Sequence, residues 1–456
     1  MSKRGIFVNI NEISITNIKE MYEQNKISVQ ELVDEYLNNI TYYDQGENKL
    51  NSVLEINPDI TDIARYLEEH KSEYTSPLYG VPILIKDNID TGDKMHTSAG
   101  ALALADLKAS KDADVVKVLR EKGAVILGKT NMTELANYMT KGMPPGYSSR
   151  GGMVASPYNK TKSPSGSSTG SAVSVTANLC GASLGTDTSG SIISPAIANG
   201  IVGFCPSAGI LSTNGILPVS FTLDTVGPMT RTIMDSILLF SELTNIKIQP
   251  KEGNLKNWVI GIDDNSLNNL TGEEEKKSLN ILKELENLGG KIVRIKLPTV
   301  PKNNLKGIGK YEFKYSLNRY FENVRKEFPI RSLRDIIKFN NAHGEKALKY
   351  GQTLLLEAEE KTKGDLSETE YKELLMDREE KKRIMKELLD GIDICILFQE
   401  NLILQYTGLP ILSIPHGLYN DGMPYGIIVT AQNDQKLLQY GYKLEELIGY
   451  RVPPKL

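Results

Sequence analysis

Cysteine and histidine are scarce in this chain, and long apolar runs do not occur. The 456 residues include only Cys180, Cys205 and Cys395, a set too sparse for a disulfide framework or a zinc ribbon. The 4 histidines never stand at ligand spacing, so we expect no metal site. No run approaches the roughly 18 apolar residues that a membrane-spanning helix needs, so we expect no membrane association.

Charge of one sign is not in large excess either. There are 53 lysines and arginines against 57 aspartates and glutamates, a net charge of −4. A chain with this balance has no bulk attraction to nucleic acid, so no nucleic-acid partner is expected. The N-terminal residues MSKRGIFVNINEI contain no apolar stretch of signal-peptide length. Together these features predict a cytoplasmic enzyme or binding protein.

Hydrophobic periodicity predicts an α/β fold in the first part of the chain. Ser28 and Glu31 have the spacing of a capping box ahead of a helical pattern of apolar residues. Residues 83–85 are predicted to form a buried strand. We expect Asp112 to cap a helix that ends before a short strand at 124–127.

The second part of the chain repeats this alternation. A polar break at 249–254 is a candidate boundary. Predicted strands at 258–262 and 292–295 flank a predicted helix at 279–288, a βαβ unit that indicates a partly parallel sheet. A charged helix at 365–390 and strands at 409–415 and 425–430 are expected to follow.

Residues 163–191 are unusually rich in small residues. Glycine, serine and threonine account for 18 of these 29 positions, which is typical of a flexible linker. Apolar residues from Ala172 to Cys180 argue against a linker and predict a helix between two loops. Such loops suit either an anion-binding backbone nest or a serine nucleophile with its oxyanion hole. The lysine of a nucleotide-binding P-loop is missing.

A serine nucleophile needs a base, and Lys86 is a candidate. It ends the predicted strand at 83–85, where a buried lysine would have its pKa lowered by desolvation. The alternative is an ordinary lysine that reaches water from the strand end. From the residues alone, the sequence therefore indicates an α/β protein with possible serine and lysine chemistry.

Five motifs between Gly80 and about Leu239 resemble the amidase signature family, in the family's order and spacing. They are GVPILIKDNI, GAVILGKTNMTELAN, SPSGSSTGSA, LGTDTSGSIISPA and ILPVSFTLDTVGPMTRT. A weaker resemblance covers most of the chain, including LPILSIPHGLYNDGMPYGI. The segment from Ser149 to Tyr158 and the motif GSIISPA are most similar to the peptide-amidase branch.

The resemblance implies an α/β amidase-signature fold, in which a large mixed β-sheet is covered by helices on both faces. It also implies a single amidase domain over residues 1–456. Within that domain we expect an N-terminal helical segment at 1–75, a signature core at about 80–240 and a C-terminal α/β part at about 255–456.

The resemblance further implies a Ser–cis-Ser–Lys triad. By position, Ser191 is the nucleophile, Ser167 the bridging serine and Lys86 the base, with a cis peptide between Gly166 and Ser167. The family's mechanism passes through an acyl-enzyme and requires no cofactor or metal.

Further site residues follow from the same resemblance. The oxyanion hole is expected at the backbone N–H groups of Thr188, Ser189, Gly190 and Ser191. Ser168 is expected to support Lys86 by hydrogen bonding, and Asn137 to line the substrate site.

The implied activity is that of an amidohydrolase acting on linear amides, at C–N bonds other than peptide bonds. The substrate would be a C-terminal peptide amide or a small acyl or aryl amide. The alternatives are the glutaminase (A) subunit of a tRNA-dependent amidotransferase, a biosynthetic acyltransferase with the same triad, and a non-catalytic binding protein. Ile193 stands where glutaminase subunits usually carry arginine, which favours the hydrolase. The oligomeric state is not predicted.

The segment 398–407 departs from the family pattern. Members usually have a longer, proline-rich loop there, and that loop contributes to the substrate entrance. The shorter connection indicates a more open or differently shaped pocket.

Overall fold

The structure is a computed structural model, and it describes residues 9–46 and 49–456, without the side chains of residues 302 and 303. The first eight residues lie outside the described residues. They include the start of the predicted N-terminal helical segment and of the stretch in which no signal peptide is expected. Between residues 9 and 75, the residues that the structure describes form three α-helices and one strand.

Strands and helices alternate along the described part of the chain, which contains 13 strands and 17 α-helices. The strands are β1 Val53–Ile56, β2 Pro82–Lys86, β3 Val125–Thr130, β4 Tyr147–Ser148, β5 Gly152–Met153, β6 Ala182–Asp187, β7 Val202–Cys205, β8 Thr225–Thr230, β9 Val259–Asp263, β10 Lys291–Ile295, β11 Ile394–Leu397, β12 Ile411–Leu418 and β13 Pro424–Thr430. The helices are α1 Ile15–Glu23, α2 Val29–Asn39, α3 Ile60–Glu69, α4 Asp114–Glu121, α5 Glu134–Asn137, α6 Thr169–Thr176, α7 Ile193–Ala198, α8 Ile233–Thr244, α9 Asp264–Asn268, α10 Gly272–Asn287, α11 Lys302–Glu322, α12 Leu333–His343, α13 Glu345–Leu348, α14 Thr353–Lys361, α15 Thr369–Leu388, α16 Ile403–Thr407 and α17 Asp434–Ile448.

Eleven of the strands form one mixed sheet, in the order β1-β3-β2-β6-β8-β7-β12-β13-β11-β9-β10. β2 pairs in parallel with β3 and β6, whereas β8 pairs antiparallel with β6 and β7. The predicted large mixed sheet is confirmed. Because the sheet takes strands from both sides of the polar break at 249–254, that break does not divide it. The proposed extents of the domain and its parts remain predictions.

Both faces of the sheet are covered, as expected. Side chains alternate between the faces of a strand. In β13, Ile427 and Val429 belong to one apolar cluster, and Ile428 between them belongs to another. The first cluster includes Leu285 of α10, and the second includes Leu32 of α2. Helices therefore pack against the two faces of one sheet.

Local sequence signals located several elements correctly. Ser28 caps α2, its hydroxyl accepts the Glu31 N–H, and the Glu31 carboxylate accepts the Ser28 N–H, which completes the predicted capping box. The predicted βαβ unit corresponds to β9, α10 and β10, and its two strands are parallel.

The expected cap at Asp112 is wrong. Helix α4 follows Ala113 and has no side-chain cap. The Asp112 carboxylate instead accepts the Gly92 N–H at 2.7 Å and pairs with Arg120 at 3.1 Å. These partners come from a distant loop and from the far end of the helix, and they outweigh the local capping preference.

No helix in the described part of the chain is long and apolar enough to cross a membrane.

Candidate active site

Lys86 is the last residue of β2, a strand whose five residues are all buried. Its side chain is fully buried, and Nζ lies 2.8 Å from Ser167 Oγ. Nζ also lies 2.8 Å from Thr186 Oγ1 and 3.2 Å from Thr186 O. Burial lowers the pKa of Lys86 to about 7, and the charges of Asp187 and Asp224 oppose this shift. A large fraction of the amine is therefore neutral at neutral pH.

Ser167 lies in the tight loop that leads into α6, and the Gly166–Ser167 peptide is cis. The Ser167 carbonyl accepts the Thr133 N–H at 3.0 Å. A Cβ at position 166 would stand 2.4 Å from Thr133 Oγ1 and 2.7 Å from Thr169 Oγ1. Only glycine fits position 166 without moving these neighbours.

The small residues of α6 allow the helix to lie directly against the backbone around it. All eight of its residues are buried. A Cβ at Gly170 would meet the carbonyl oxygens of Asn131 at 2.3 Å and Ser52 at 2.4 Å. The predicted helix within residues 163–191 is therefore confirmed, and its glycine and serine content serves close packing and not flexibility.

Ser191 lies in the turn between β6 and α7, and its residue surface is only 7% exposed. The buried Asp187 carboxylate shapes this turn by accepting the N–H groups of Gly190 at 2.7 Å and Ile192 at 2.6 Å. The Ser168 N–H donates to the Ser191 carbonyl at 3.1 Å.

The three proposed triad residues thus come together, although their contacts are unequal. Lys86 and Ser167 touch through their side chains. Ser191 is held near them by the hydrogen bond between its backbone carbonyl and the Ser168 N–H. Within residues 9–46 and 49–456, no hydrogen bond links the Ser167 and Ser191 hydroxyls. The catalytic roles of the three residues remain predictions.

The turn proposed as the oxyanion hole is held at a second point. The Thr188 hydroxyl donates to Asp224 Oδ1 at 2.6 Å. The other oxygen of Asp224 accepts the N–H groups of Val219 and Ser220 at 2.8 and 2.9 Å. Asp187 and Asp224 therefore both bind backbone N–H groups of the surrounding loops. Since Asp187 accepts the Gly190 N–H, the oxyanion role of residues 188–191 remains a prediction.

Ser168 reaches Lys86 indirectly. Its hydroxyl donates to Thr186 O at 3.0 Å and accepts the Thr186 N–H at 3.2 Å. Thr186 in turn contacts Nζ of Lys86. Ser168 thus fixes the residue that holds the lysine.

Asn137 is exposed at the end of α5. Leu135, Ala136 and Asn137 have φ values of 48°, 53° and 69°, so this turn is left-handed. The turn follows Thr133, which contacts Ser167. Among the described residues no hydrogen bond joins Asn137 to the triad, and its substrate role remains a prediction.

Two residues of the site were not identified from the sequence. Thr186 lies in the motif LGTDTSGSIISPA, one residue before Asp187 on β6, and β6 pairs with β2. That position was the available sequence signal for a contact with Lys86. Glu400 lies in the short connection after β11, where its carboxylate accepts a hydrogen bond from the Ser194 hydroxyl. Glu400 and Ser194 are 206 residues apart, so the sequence contained no local signal for this contact.

The described residues place no three or more His, Cys, Asp or Glu side chains together in a way that could hold a metal ion. The chemistry available at the site is that of hydroxyl groups, a buried amine and backbone N–H groups.

Known proteins match this chain over nearly its whole length. A family model described as Amidase matches residues 31–438. A probable amidase from Arabidopsis thaliana is 34% identical over 480 residues, which cover 98% of this chain and 92% of the relative. The crystal structure of native peptide amidase from Stenotrophomonas maltophilia has a TM-score of 0.88 at 31% identity, covering 98% of this chain and 99% of that one.

A second group of relatives carries a different name. A glutamyl-tRNA(Gln) amidotransferase subunit from Exiguobacterium sibiricum is 27% identical over 499 residues, covering 98% of this chain and 99% of the relative.

Proposed function

This chain belongs to the amidase family, and on that premise we propose that it hydrolyses a carboxamide through an acyl-enzyme on Ser191. The observation that carries the proposal is the contact of the fully buried Lys86 with Ser167, at 2.8 Å from Nζ to Oγ. A lysine with a pKa of about 7 can accept a proton under the conditions in which most enzymes work.

The hydrogen bonds of Lys86 suit a base better than a permanent cation. A neutral amine has two N–H donors and one lone pair. Thr186 offers two acceptors, its hydroxyl and its carbonyl, at 2.8 and 3.2 Å from Nζ. When both N–H groups point to Thr186, the lone pair faces the Ser167 hydroxyl.

In the proposed reaction, Lys86 takes the proton of Ser167 while Ser167 takes the proton of Ser191. The Ser191 oxygen forms a bond to the amide carbon, and the N–H groups of residues 188–191 stabilise the oxyanion. The C–N bond then breaks, and the relay returns the proton to the departing ammonia or amine. Water attacks the resulting ester with the same base, releasing the acid and restoring Ser191.

We propose a linear amide as substrate, either a C-terminal peptide amide or a small acyl or aryl amide. The similarity to a protein named peptide amidase supports this class. We further propose that the enzyme works in the cytoplasm without a nucleic-acid or membrane partner. The net charge of −4 and three cysteines that are all buried and free are consistent with this setting.

The second candidate is the glutaminase component of an amidotransferase, which the full-length match to a protein of that name favours. Glutaminase activity would then appear as a clear preference for glutamine and would depend on partner subunits. Ile193, in place of the usual arginine, favours the stand-alone hydrolase. An acyltransferase would differ from both by giving a new amide in the presence of an amine.

The proposal is tested by ammonia release from glutamine, short peptide amides, and aryl and aliphatic carboxamides. Wild type is compared with Ser191→Ala and with Ser72→Ala, whose serine is exposed and far from the site in sequence. We expect release by wild type and Ser72→Ala and none by Ser191→Ala. Equal release by all three proteins would overturn the assignment of Ser191, and preferential release from glutamine would favour the second candidate.

A further inference from the structure

The carboxylate of Glu400 lies beside the turn that carries the proposed nucleophile. One oxygen accepts a hydrogen bond from the Ser194 hydroxyl in the first turn of α7. The other oxygen is 3.2 Å from the position that a Cβ on Gly190 would occupy. Because Gly190 directly precedes Ser191, this carboxylate lies beside the backbone of the turn that carries the nucleophile.

No cation of the described chain neutralises this carboxylate. Among residues 9–46 and 49–456, no lysine, arginine or histidine lies within 4.0 Å of it. The residue surface is open to solvent. The protein around the carboxyl group still desolvates it and, together with the negative charge of Asp187, raises its pKa to about 7, while the Ser194 hydrogen bond opposes the shift. Glu400 is therefore an exposed residue near the buried Asp187 carboxylate, and no positively charged side chain of the described residues lies within 4.0 Å of it.

The hydrogen bond to Ser194 does not by itself explain why a charged side chain stands at position 400. A neutral side chain such as glutamine would accept the same hydrogen bond without bringing a second negative charge near Asp187. Glu400 lies within the shortened segment 398–407, at the predicted substrate entrance. This position instead suits a carboxylate that binds a cationic group arriving from solution.

We propose that Glu400 is a specificity-determining residue that binds an ammonium or guanidinium group on the acyl part of the substrate. This inference rests on the proposed amidase function. When the substrate is a primary carboxamide, the leaving group is ammonia, and a cation of the substrate can only lie on the acyl part. That part stays attached to Ser191 in the acyl-enzyme, so the same ion pair serves both halves of the reaction.

The charge of Glu400 also predicts how the preference appears in the kinetics. A carboxylate near the turn at residues 188–191 opposes the negative charge that develops on the carbonyl oxygen. A substrate cation bound to Glu400 cancels that repulsion, whereas a neutral substrate leaves it in place. We therefore expect a cationic substrate to gain in kcat as well as in KM.

The experiment compares short ω-aminoalkanamides with the alkanamides in which a methyl group replaces the ammonium group. At pH 8, wild type should favour the best cationic amide over its neutral partner by about tenfold or more in kcat/KM, and added salt should reduce this ratio. In Glu400→Gln the ratio should fall toward one. Glu20→Gln, which removes one exposed carboxylate on α1, should keep the wild-type ratio.

Binding of the same amide pairs to Ser191→Ala, measured by calorimetry, gives a readout that does not need turnover. Tighter binding of the cationic amide that is lost when Glu400→Gln is added supports the inference. Hydrolysis or binding without preference for the cation, or a preference that survives Glu400→Gln, would overturn it. Failure of wild type to hydrolyse any amide of the wider panel would instead count against the proposed function.

Discussion

Lys86 and Ser167, 81 residues apart in the sequence, meet inside the protein with 2.8 Å between Nζ and Oγ. Strand β2 delivers the lysine, and the loop before α6 delivers the serine. At this distance the two side chains are in direct hydrogen-bond contact, and both residues are fully buried. Burial explains both the lowered pKa of the lysine and its suitability as a base.

Replacing Lys86 by alanine should reduce kcat by about 10²- to 10⁴-fold at neutral pH, the usual contribution of a general base. Wild-type activity should rise as pH increases through about 7, because the neutral amine is the active form. The variant should lack the rise near pH 7 and should gain activity only at high pH, where hydroxide can take the serine proton, so its deficit should be smaller at high pH than at neutral pH. Lys117→Ala on the exposed face of α4 is the control. An equal deficit at every pH would indicate a structural lysine.

Replacing Thr186 by valine should weaken catalysis and shift its pH dependence. Valine has nearly the same shape but removes the hydroxyl that lies 2.8 Å from Lys86 Nζ. A hydroxyl acceptor stabilises an ammonium group more than a neutral amine, so its loss should lower the pKa of Lys86 further. The rise of activity with pH should therefore move to lower pH, together with a smaller kcat. An unchanged pH profile would show that Thr186 does not hold the lysine.

Gly170→Ala should destabilise the protein by several kcal/mol, because the new Cβ would lie 2.3 and 2.4 Å from two backbone carbonyl oxygens. Gly309→Ala is the matched control, since Gly309 also lies in a helix, α11, and a Cβ there would have its nearest neighbouring atom at 3.6 Å. The control should be neutral or raise stability by about 0.5–1 kcal/mol, because alanine favours helices. Thermal unfolding of both variants measures the difference, and equal melting temperatures would contradict the packing described for α6.

Glu445→Gln should alter the dependence of stability on pH. Burial raises the pKa of Glu445 to about 8 in the folded protein, well above its ordinary value of 4.5. A carboxyl group with a raised pKa favours the folded state below its ordinary pKa of 4.5, and this contribution is lost progressively until the pH reaches the folded pKa of about 8. The melting temperature of wild type should therefore fall between pH 5 and pH 8 by more than that of Glu445→Gln. Parallel curves would show that Glu445 does not titrate in this window.

The sequence predicted the elements that depend on local signals and on motif order. The capping box at Ser28, the buried strand ending at Lys86 and the helix within residues 163–191 are examples. Prediction failed where a distant partner decided the outcome. Asp112 binds Gly92 instead of capping α4, and Glu400 meets Ser194 across 206 residues. A single sequence contains no local pattern that reveals such contacts.

The site shows the same division. The motifs located Lys86, Ser167 and Ser191, because each stands at a fixed place within a recognisable segment. The hydrogen bonds of Thr186 and the engagement of the Gly190 N–H by Asp187 depend on exact backbone positions, which residue types alone do not define.

The most direct test of the account is the identity of the residue that becomes covalently modified. Wild type is treated with a serine-reactive fluorophosphonate, digested, and examined by mass spectrometry, with Ser191→Ala and Lys86→Ala alongside. The account predicts a single label on Ser191 in wild type, none in Ser191→Ala, and much slower labelling in Lys86→Ala at neutral pH. A label on another residue, or labelling that persists in Ser191→Ala, would contradict it.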